Sequence, residues 1–332
     1  MESLKKVADI IKDRNNFLIM GHIDPDGDCV GSMFALKWIL DKLNKKSLLL
    51  LNTSPEDQYD YFFEKVKKHK KSKTQMYALI NKFNLDDLSW DQYNFISLDS
   101  SDEDRLGEAQ ELIDNNYLIN IDHHPDNTNY GNINYINSDK AAVGEIIYDL
   151  TDILNINIDK KIGEAIATAI ITDTGSLQYE NTSSRVLRIL ADLMDQEIDL
   201  YKLNRKIYGN YSFNSVKLKG MALSTLDKTE DSKIAWLYVD KEMMEKTNTE
   251  VEDTTGFVNY SRDIKGVEVG IAFFEQKPKK ISVSFRSNSY VSVNEIASRF
   301  DGGGHPKAAG CTIEENLNKT INMVIEEVKK FV

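Results

Sequence analysis

The chain has 332 residues, 41% of them hydrophobic, with five prolines and two cysteines. That supports a sizeable core in two ordinary domains and excludes both wholesale disorder and a disulfide scaffold. A formal net charge of −12 argues against broad binding of duplex DNA, which needs a basic face to displace counterions. It leaves room for a small phosphorylated ligand, because bound divalent cations can reverse the sign of a local site.

Residues 3–14 have helical apolar spacing through Leu4, Val7, Ile10 and Ile11. FLIM at 17–20 is a short apolar run that fits a buried strand, and a helical pattern follows from Cys29 to Leu43. SLLLL at 47–51, YNFISL at 93–98 and NYLINI at 116–121 are further buried-strand candidates. Strand–helix alternation of this kind predicts a largely parallel α/β sheet flanked by helices. The lysine run KVKKHKKSK at 65–73 reads as a solvated face, with His69 as a surface residue.

Residues 141–226 read as helical, near 141–154, 159–172, 184–195 and 212–226. Beyond about residue 230 the texture changes. IAWLYVD, VEVGIAFFE and KISVSFRS read as strands, and helices are expected at 293–299 and 316–331. The predicted organisation is an N-terminal α/β domain over 1–208, a helical linker over 209–232 and a smaller α/β domain over 233–332. No apolar run is long enough to span a membrane, and MESLKKVADIIKDRNN lacks the apolar stretch of a signal peptide. The expectation is a cytoplasmic protein without a membrane partner.

Four of the five histidines sit in Asp- or Gly-rich motifs. His22, Asp26 and Asp28 lie in GHIDPDGD; Asp122, His123 and His124 in IDHHPDN; His305 in DGGGHPKAAG. Asp99 ends the strand YNFISLD, and Asp173 follows an apolar helix in ITDTGSLQY. Three of these motifs fall at predicted strand ends, where open α/β sheets bind ligands. Carboxylates this close repel unless a cation or a proton lies between them. Mixed oxygen and nitrogen donors without thiolate suit Mn²⁺, Mg²⁺, Co²⁺ or Zn²⁺. So many donors fit two ions sharing a carboxylate, the arrangement that activates water for phosphoryl displacement. Cys29 and Cys311 lack CxxC partners and read as small buried residues.

GHIDPDGDCVGS, LDSSD, IDHH, TDTG and GGGHPKAAG, in this order, resemble the DHH phosphoesterase superfamily with its DHH-associated C-terminal domain. The resemblance covers essentially the whole chain. With GFVNYSRDIKGVEVGIAFFE it is nearest the nanoRNase / 3′-phosphoadenosine-5′-phosphate phosphatase subfamily. It implies that His22 and Asp26 hold one metal, that Asp28, His123 and Asp173 hold the other, and that Asp99 bridges them. It implies that His124 faces the scissile phosphate and that Asp122 orients the site beside it. The implied cofactor is a pair of Mn²⁺ ions, with Mg²⁺ or Co²⁺ as alternatives. The implied substrates are short RNA, dinucleotides and a nucleoside bisphosphate, and relatives include homodimers. Cyclic di-adenylate or pApA hydrolysis, and a non-catalytic nucleotide-binding module, are the competing readings.

ISVSFRS alternates so that Arg286 shares a polar strand face with Ser282 and Ser284. A guanidinium there can hold phosphate through two hydrogen bonds. The backbone N–H groups of a glycine loop can form an anion nest. By the resemblance, Arg262, Arg286, Gly302, Gly303, Gly304 and His305 grip the nucleotide. One departure is Asp301, which stands where the family often has a first glycine.

Overall fold

The computed structural model describes residues 3–51, 53, 55–63, 68–70, 77–79, 89–113, 116–209 and 211–332. The chain forms two units, Met1–Asn210 and Tyr211–Val332. The first opens with α1 (Leu4–Asp13), β1 (Phe17–Met20), α2 (Gly27–Lys42) and β2 (Ser47–Leu51). It continues through β3 (Lys68–Lys70), β4 (Tyr77–Leu79), β5 (Asn94–Leu98), α3 (Gln110–Ile113), β6 (Leu118–Asp122) and β7 (Ile133–Ile136). Four helices complete it: α4 (Val143–Leu154), α5 (Lys160–Asp173), α6 (Ser184–Asp195) and α7 (Leu200–Tyr208).

The sheet order is β3-β4-β2-β1-β5-β6-β7. The run from β2 to β7 is parallel, and β4 and β3 add an antiparallel edge beyond β2. Every residue of FLIM is buried because both faces of β1 are covered. Phe17 and Ile19 pack with α1, α2, α4 and α5. Leu18 and Met20 pack with Leu106, Ala109 and Ile113 on the other face. The chain leaves β1 for β2 on one side, yet β5 pairs β1 on the other. This reversal opens a crevice at the carboxyl ends of β1 and β5. Helices α2 and α5 run close together: a Cβ at Gly31 would lie 2.5 Å from the Ala165 carbonyl oxygen. Their packing helps set Asp28, near the start of α2, beside Asp173 at the end of α5.

The second unit contains α8 (Phe213–Ser224), β8 (Asp227–Lys228), β9 (Ile234–Val239), α9 (Lys241–Thr247), α10 (Val258–Arg262), β10 (Val269–Lys277) and β11 (Lys280–Ser287). It ends with α11 (Val293–Ser298), β12 (Gly303–His305), β13 (Ala308–Ile313) and α12 (Leu317–Val328). Its sheet order is β12-β13-β11-β10-β9-β8. Ile271, Phe273, Val283 and Phe285 face α11 and α12, while Ala272, Phe274, Leu237 and Val239 pack with Leu218 and Ala222 of α8. Helix α8, read from sequence as part of a linker, thus contributes to the second core.

The structure adds elements that the apolar pattern does not signal. Strand β7 lies at the sheet edge and is mostly half-buried, so it carries no continuous apolar run. Helix α7 buries only Leu203 and Ile207. Strand β13 alternates buried residues with half-buried or exposed ones in AAGCTI. Most of the lysine run, and the side chain of His69, lie outside the described residues. Among the described residues no helix is long and apolar enough to cross a membrane.

Candidate active site

The acidic and imidazole residues of the four Asp motifs meet at the carboxyl end of the parallel sheet. His22 follows β1, Asp99 follows β5, His123 and His124 follow β6, Asp28 opens α2 and Asp173 closes α5. Asp28, His123 and Asp173 bring one donor atom each within 4.8 Å of one another, as do Asp99, Asp122, His123 and His124.

Asp99 stands in the middle. One carboxylate oxygen lies 3.6 Å from His22 Nε2 and the other 3.6 Å from His123 Nε2. His123 Nε2 is also 3.5 Å from Asp173 and 3.9 Å from Asp28. These separations exceed good hydrogen bonds. They approach the spacing of ligands that share an ion about 2.1 Å from each. Asp99 has a positive φ of 57°, a strained conformation that clusters at functional sites.

Both histidines are oriented for ligation. His22 Nδ1 is 2.7 Å from the Ile23 carbonyl and His123 Nδ1 is 3.1 Å from the Lys140 carbonyl. A carbonyl only accepts, so each Nδ1 carries the hydrogen and Nε2 is the ring nitrogen turned toward the carboxylates. This is the usual arrangement of a metal-binding histidine. Asp28 is buried and accepts from Ser32 Oγ at 2.9 Å and from the Val143 and Gly144 N–H at 2.6 and 3.0 Å, at the start of α4.

The charges are held against their solvation preferences. Burial opposes a proton charge on His22, but the Asp26 and Asp99 carboxylates outweigh it and push the pKa up to about 10. Burial likewise opposes charge on His123, but Asp99, Asp28 and Asp173 push it up to about 11. Burial works against ionisation of Asp99, yet His123 and His22 hold it well below the usual carboxylate range. Burial and then the charges of Asp99 and Asp173 raise Asp28. Asp173 is pushed up to about 7, chiefly by burial and, despite His123, by Asp99. A divalent cation would relieve the repulsion among these carboxylates and displace the imidazolium protons. The donor set therefore fits metal binding.

His124 is placed differently. Its Nδ1 donates to Asp122 Oδ1 at 2.8 Å, leaving Nε2 as the other ring nitrogen. Burial opposes its charge, but the Asp122 bond outweighs burial and raises the pKa. Asp122 is fully buried and also accepts from Asn127 Nδ2 at 2.6 Å. Asn127 in turn donates to Asn120 and to the Ser100 carbonyl. Asn120 bonds Ser97, and Tyr130 donates to Ser97 and the Ser100 carbonyl. This network ties the loop after Asp99 to β6.

Asn127 ends the IDHHPDN motif, and its residue type alone does not mark it as a support of the site. Cys29, expected to be a small buried residue, places its thiol within 4.8 Å of His22 and Asp99 donor atoms. No residue signal distinguishes the two roles, because Cys29 is also fully buried against Met33. Asp26 is more peripheral. It caps α2 through Oδ1, accepting from Asp28 and Cys29 N–H, and the same oxygen lies 3.8 Å from His22.

In the second unit, Arg286 of β11 pairs in register with Gly270 of β10 and Ala308 of β13. Ala308 pairs with His305 of β12. The Arg262 backbone at the end of α10 lies so near Gly270 that a Cβ there would be 2.3 Å from Arg262 N. The sheet register thus aligns the stations expected to grip a nucleotide. The Arg262 guanidinium bonds Asp263, and Arg286 Nη1 donates to the Phe285 carbonyl. Gly304 has φ +139°, and a Cβ there would sit 2.5 Å from the Ala308 carbonyl. Gly302 is similarly close to β13, while Gly303 is open apart from Asn294 at 3.9 Å. Asp301 adopts φ +54°. The side chain of His305 lies outside the described residues.

The DHH family N-terminal domain model matches residues 16–172, and the DHHA1 domain model matches residues 231–330. The chain is 29% identical over 339 residues to a protein of Thermus thermophilus named bifunctional oligoribonuclease and PAP phosphatase NrnA, covering 99% of this chain and 94% of that protein. It is 26% identical over 313 residues to a probable protein of that name from Streptococcus mutans, covering 93% of each. The crystal structure of an exopolyphosphatase-related protein from Bacteroides fragilis has a TM-score of 0.85 at 24% identity, covering 98% of this chain and 95% of that one. That likeness supports the fold.

Proposed function

Because this chain belongs to the DHH family and carries a DHHA1 domain, we propose that it is a Mn²⁺-dependent cytoplasmic phosphoesterase. It hydrolyses short oligoribonucleotides to mononucleotides and 3′-phosphoadenosine 5′-phosphate to AMP. The observation that carries this reading is Asp99, whose two oxygens each face a different histidine at 3.6 Å. The names of relatives similar along nearly their whole length support the substrate class.

In this reading His22 and Asp26 serve one ion, Asp28, His123 and Asp173 serve the other, and Asp99 serves both. The mutual proximity of the second trio supports that division. The bound cations would supply an activated water and offset the charge developing on the phosphoryl oxygens. The Val143 and Gly144 N–H groups fix Asp28, and carbonyl bonds at Nδ1 keep the His22 and His123 rings from turning. His124 donates a proton from Nε2 to the leaving oxygen, while Asp122 holds Nδ1–H and favours the protonated ring. Arg262, Arg286, His305 and the Gly302–Gly304 backbone bind the nucleotide.

The test is hydrolysis of pApA, 3′-phosphoadenosine 5′-phosphate and cyclic di-adenylate, side by side with Mn²⁺ and after chelation. The expected result is metal-dependent cleavage of the first two, with the cyclic substrate slower. Preference for the cyclic substrate would overturn the proposed substrate class. No cleavage of any substrate at saturating Mn²⁺ would overturn the catalytic reading.

A further inference from the structure

Tyr290 is a large aromatic side chain left 62% exposed, yet its loop is unusually well held. Between β11 and α11, the Ser289, Tyr290 and Val291 N–H groups all donate to Glu268 Oε1, at 3.1, 2.8 and 2.9 Å. Ser287 Oγ donates to the same oxygen at 3.1 Å, and Ser289 Oγ donates to Oε2 at 2.6 Å. Glu268 is itself buried. Burial opposes its ionisation, but these donors outweigh it and bring the pKa down to about 2.

The loop is also fastened to the β12–β13 hairpin. Ser287 N–H donates to the Lys307 carbonyl at 3.1 Å, and Val293 N–H to the Pro306 carbonyl at 2.8 Å. Lys307 Nζ donates to the Ser289 carbonyl. Tyr290 therefore projects from a braced loop that begins just after Arg286 and is bonded to the turn just after His305.

We propose that Tyr290 is a nucleobase-stacking residue, held in place by Glu268 beside the phosphate-gripping Arg286 and glycine hairpin. This deepens the proposed function and rests on it. An aromatic face stacks a base with little sequence preference. A fixed loop avoids the ordering cost that a mobile tyrosine would meet on binding. Neighbouring Arg286 and Lys307 supply positive charge for the same ligand's phosphates. The stacking face, rather than the hydroxyl, is the functional part, so phenylalanine should serve.

The experiment is calorimetric binding to the full chain of a non-hydrolysable phosphorothioate di-adenylate and of base-free ribose 5-phosphate, with parallel hydrolysis of pApA. Tyr290→Ala should weaken dinucleotide binding by on the order of tenfold, as expected for loss of one stacked base. Tyr290→Phe should bind like wild type. Ribose 5-phosphate should bind all three proteins equally. Tyr290→Ala indistinguishable from wild type overturns the proposal, as does equal loss for the base-free ligand. Tyrosine-dependent binding without pApA cleavage by wild type would overturn the oligoribonuclease part of the proposed function and leave the stacking assignment standing. Wild type that binds no dinucleotide overturns the stacking assignment.

Discussion

Two buried carboxylates, one in each unit, have opposite surroundings. Glu268 accepts five hydrogen bonds between 2.6 and 3.1 Å from backbone and serine donors. Asp99 faces imidazole nitrogens at 3.6 and 3.7 Å, beyond good hydrogen-bond geometry. The first is satisfied by the protein and fixes a loop. The second collects ring nitrogens and other carboxylates at ligand spacing, and fits a cation. Burial of a charge alone does not identify a metal site; the donors around it decide.

The sharpest way to break this contrast is to remove charge without changing shape. Asp99→Asn should reduce phosphodiester hydrolysis by about 10³-fold or more, the scale of losing a metal-centred stabilisation of several kcal/mol. Thermal stability should change far less. An Asp99→Asn enzyme within tenfold of wild type would place Asp99 with Glu268 as a structural group.

Asp122→Asn tests the proton donor. Asp122 raises the His124 pKa, so its loss should lower that pKa. The protonated ring would then be lost at lower pH, and the alkaline limb of the kcat profile should move down the pH scale. The rate at neutral pH should fall by about 10²-fold, within the range of general acid catalysis. An unmoved limb would remove His124 from that role.

Glu268 should act on stability. Its pKa is depressed from 4.5 to about 2. The stability it contributes is therefore present above about pH 4.5 and is lost as pH falls toward 2. Glu268→Gln should lower stability near neutral pH by about 1–3 kcal/mol and flatten that acid dependence, read from Tm against pH. A variant with the wild-type acid slope would assign the slope to other groups.

Arg286→Ala should raise KM about tenfold, the scale of one charge-assisted contact, with kcat nearly unchanged. Leu177→Ala is the control, since Leu177 is an exposed residue of the first unit. Equal effects would count against Arg286 as a substrate contact.

Much of the first unit was legible because its strands are buried on both faces. FLIM and SLLLL coincide with β1 and β2. Edge strand β7 and short helix α7 lack that signal. Among the metal-site candidates, His22, Asp99 and His123 were legible because they fall just after strands, where side chains converge, while Asp28 and Asp173 stand at helix ends. Their supports were not: Val143 and Gly144 meet Asp28 across 115 and 116 residues of chain, through backbone N–H groups that have no sequence signature. The same holds for Glu268, whose partners lie 19 to 23 residues away. Its letter in KGVEVGIAFFE gives no hint that it is buried.

The most direct test is counting ions. Purified protein titrated with Mn²⁺, followed by calorimetry and by electron paramagnetic resonance, should bind two ions per chain with spin coupling between them. Asp99→Asn should abolish the coupling and weaken at least one site. A single uncoupled ion in wild type, or unchanged coupling in Asp99→Asn, would contradict a centre bridged by Asp99.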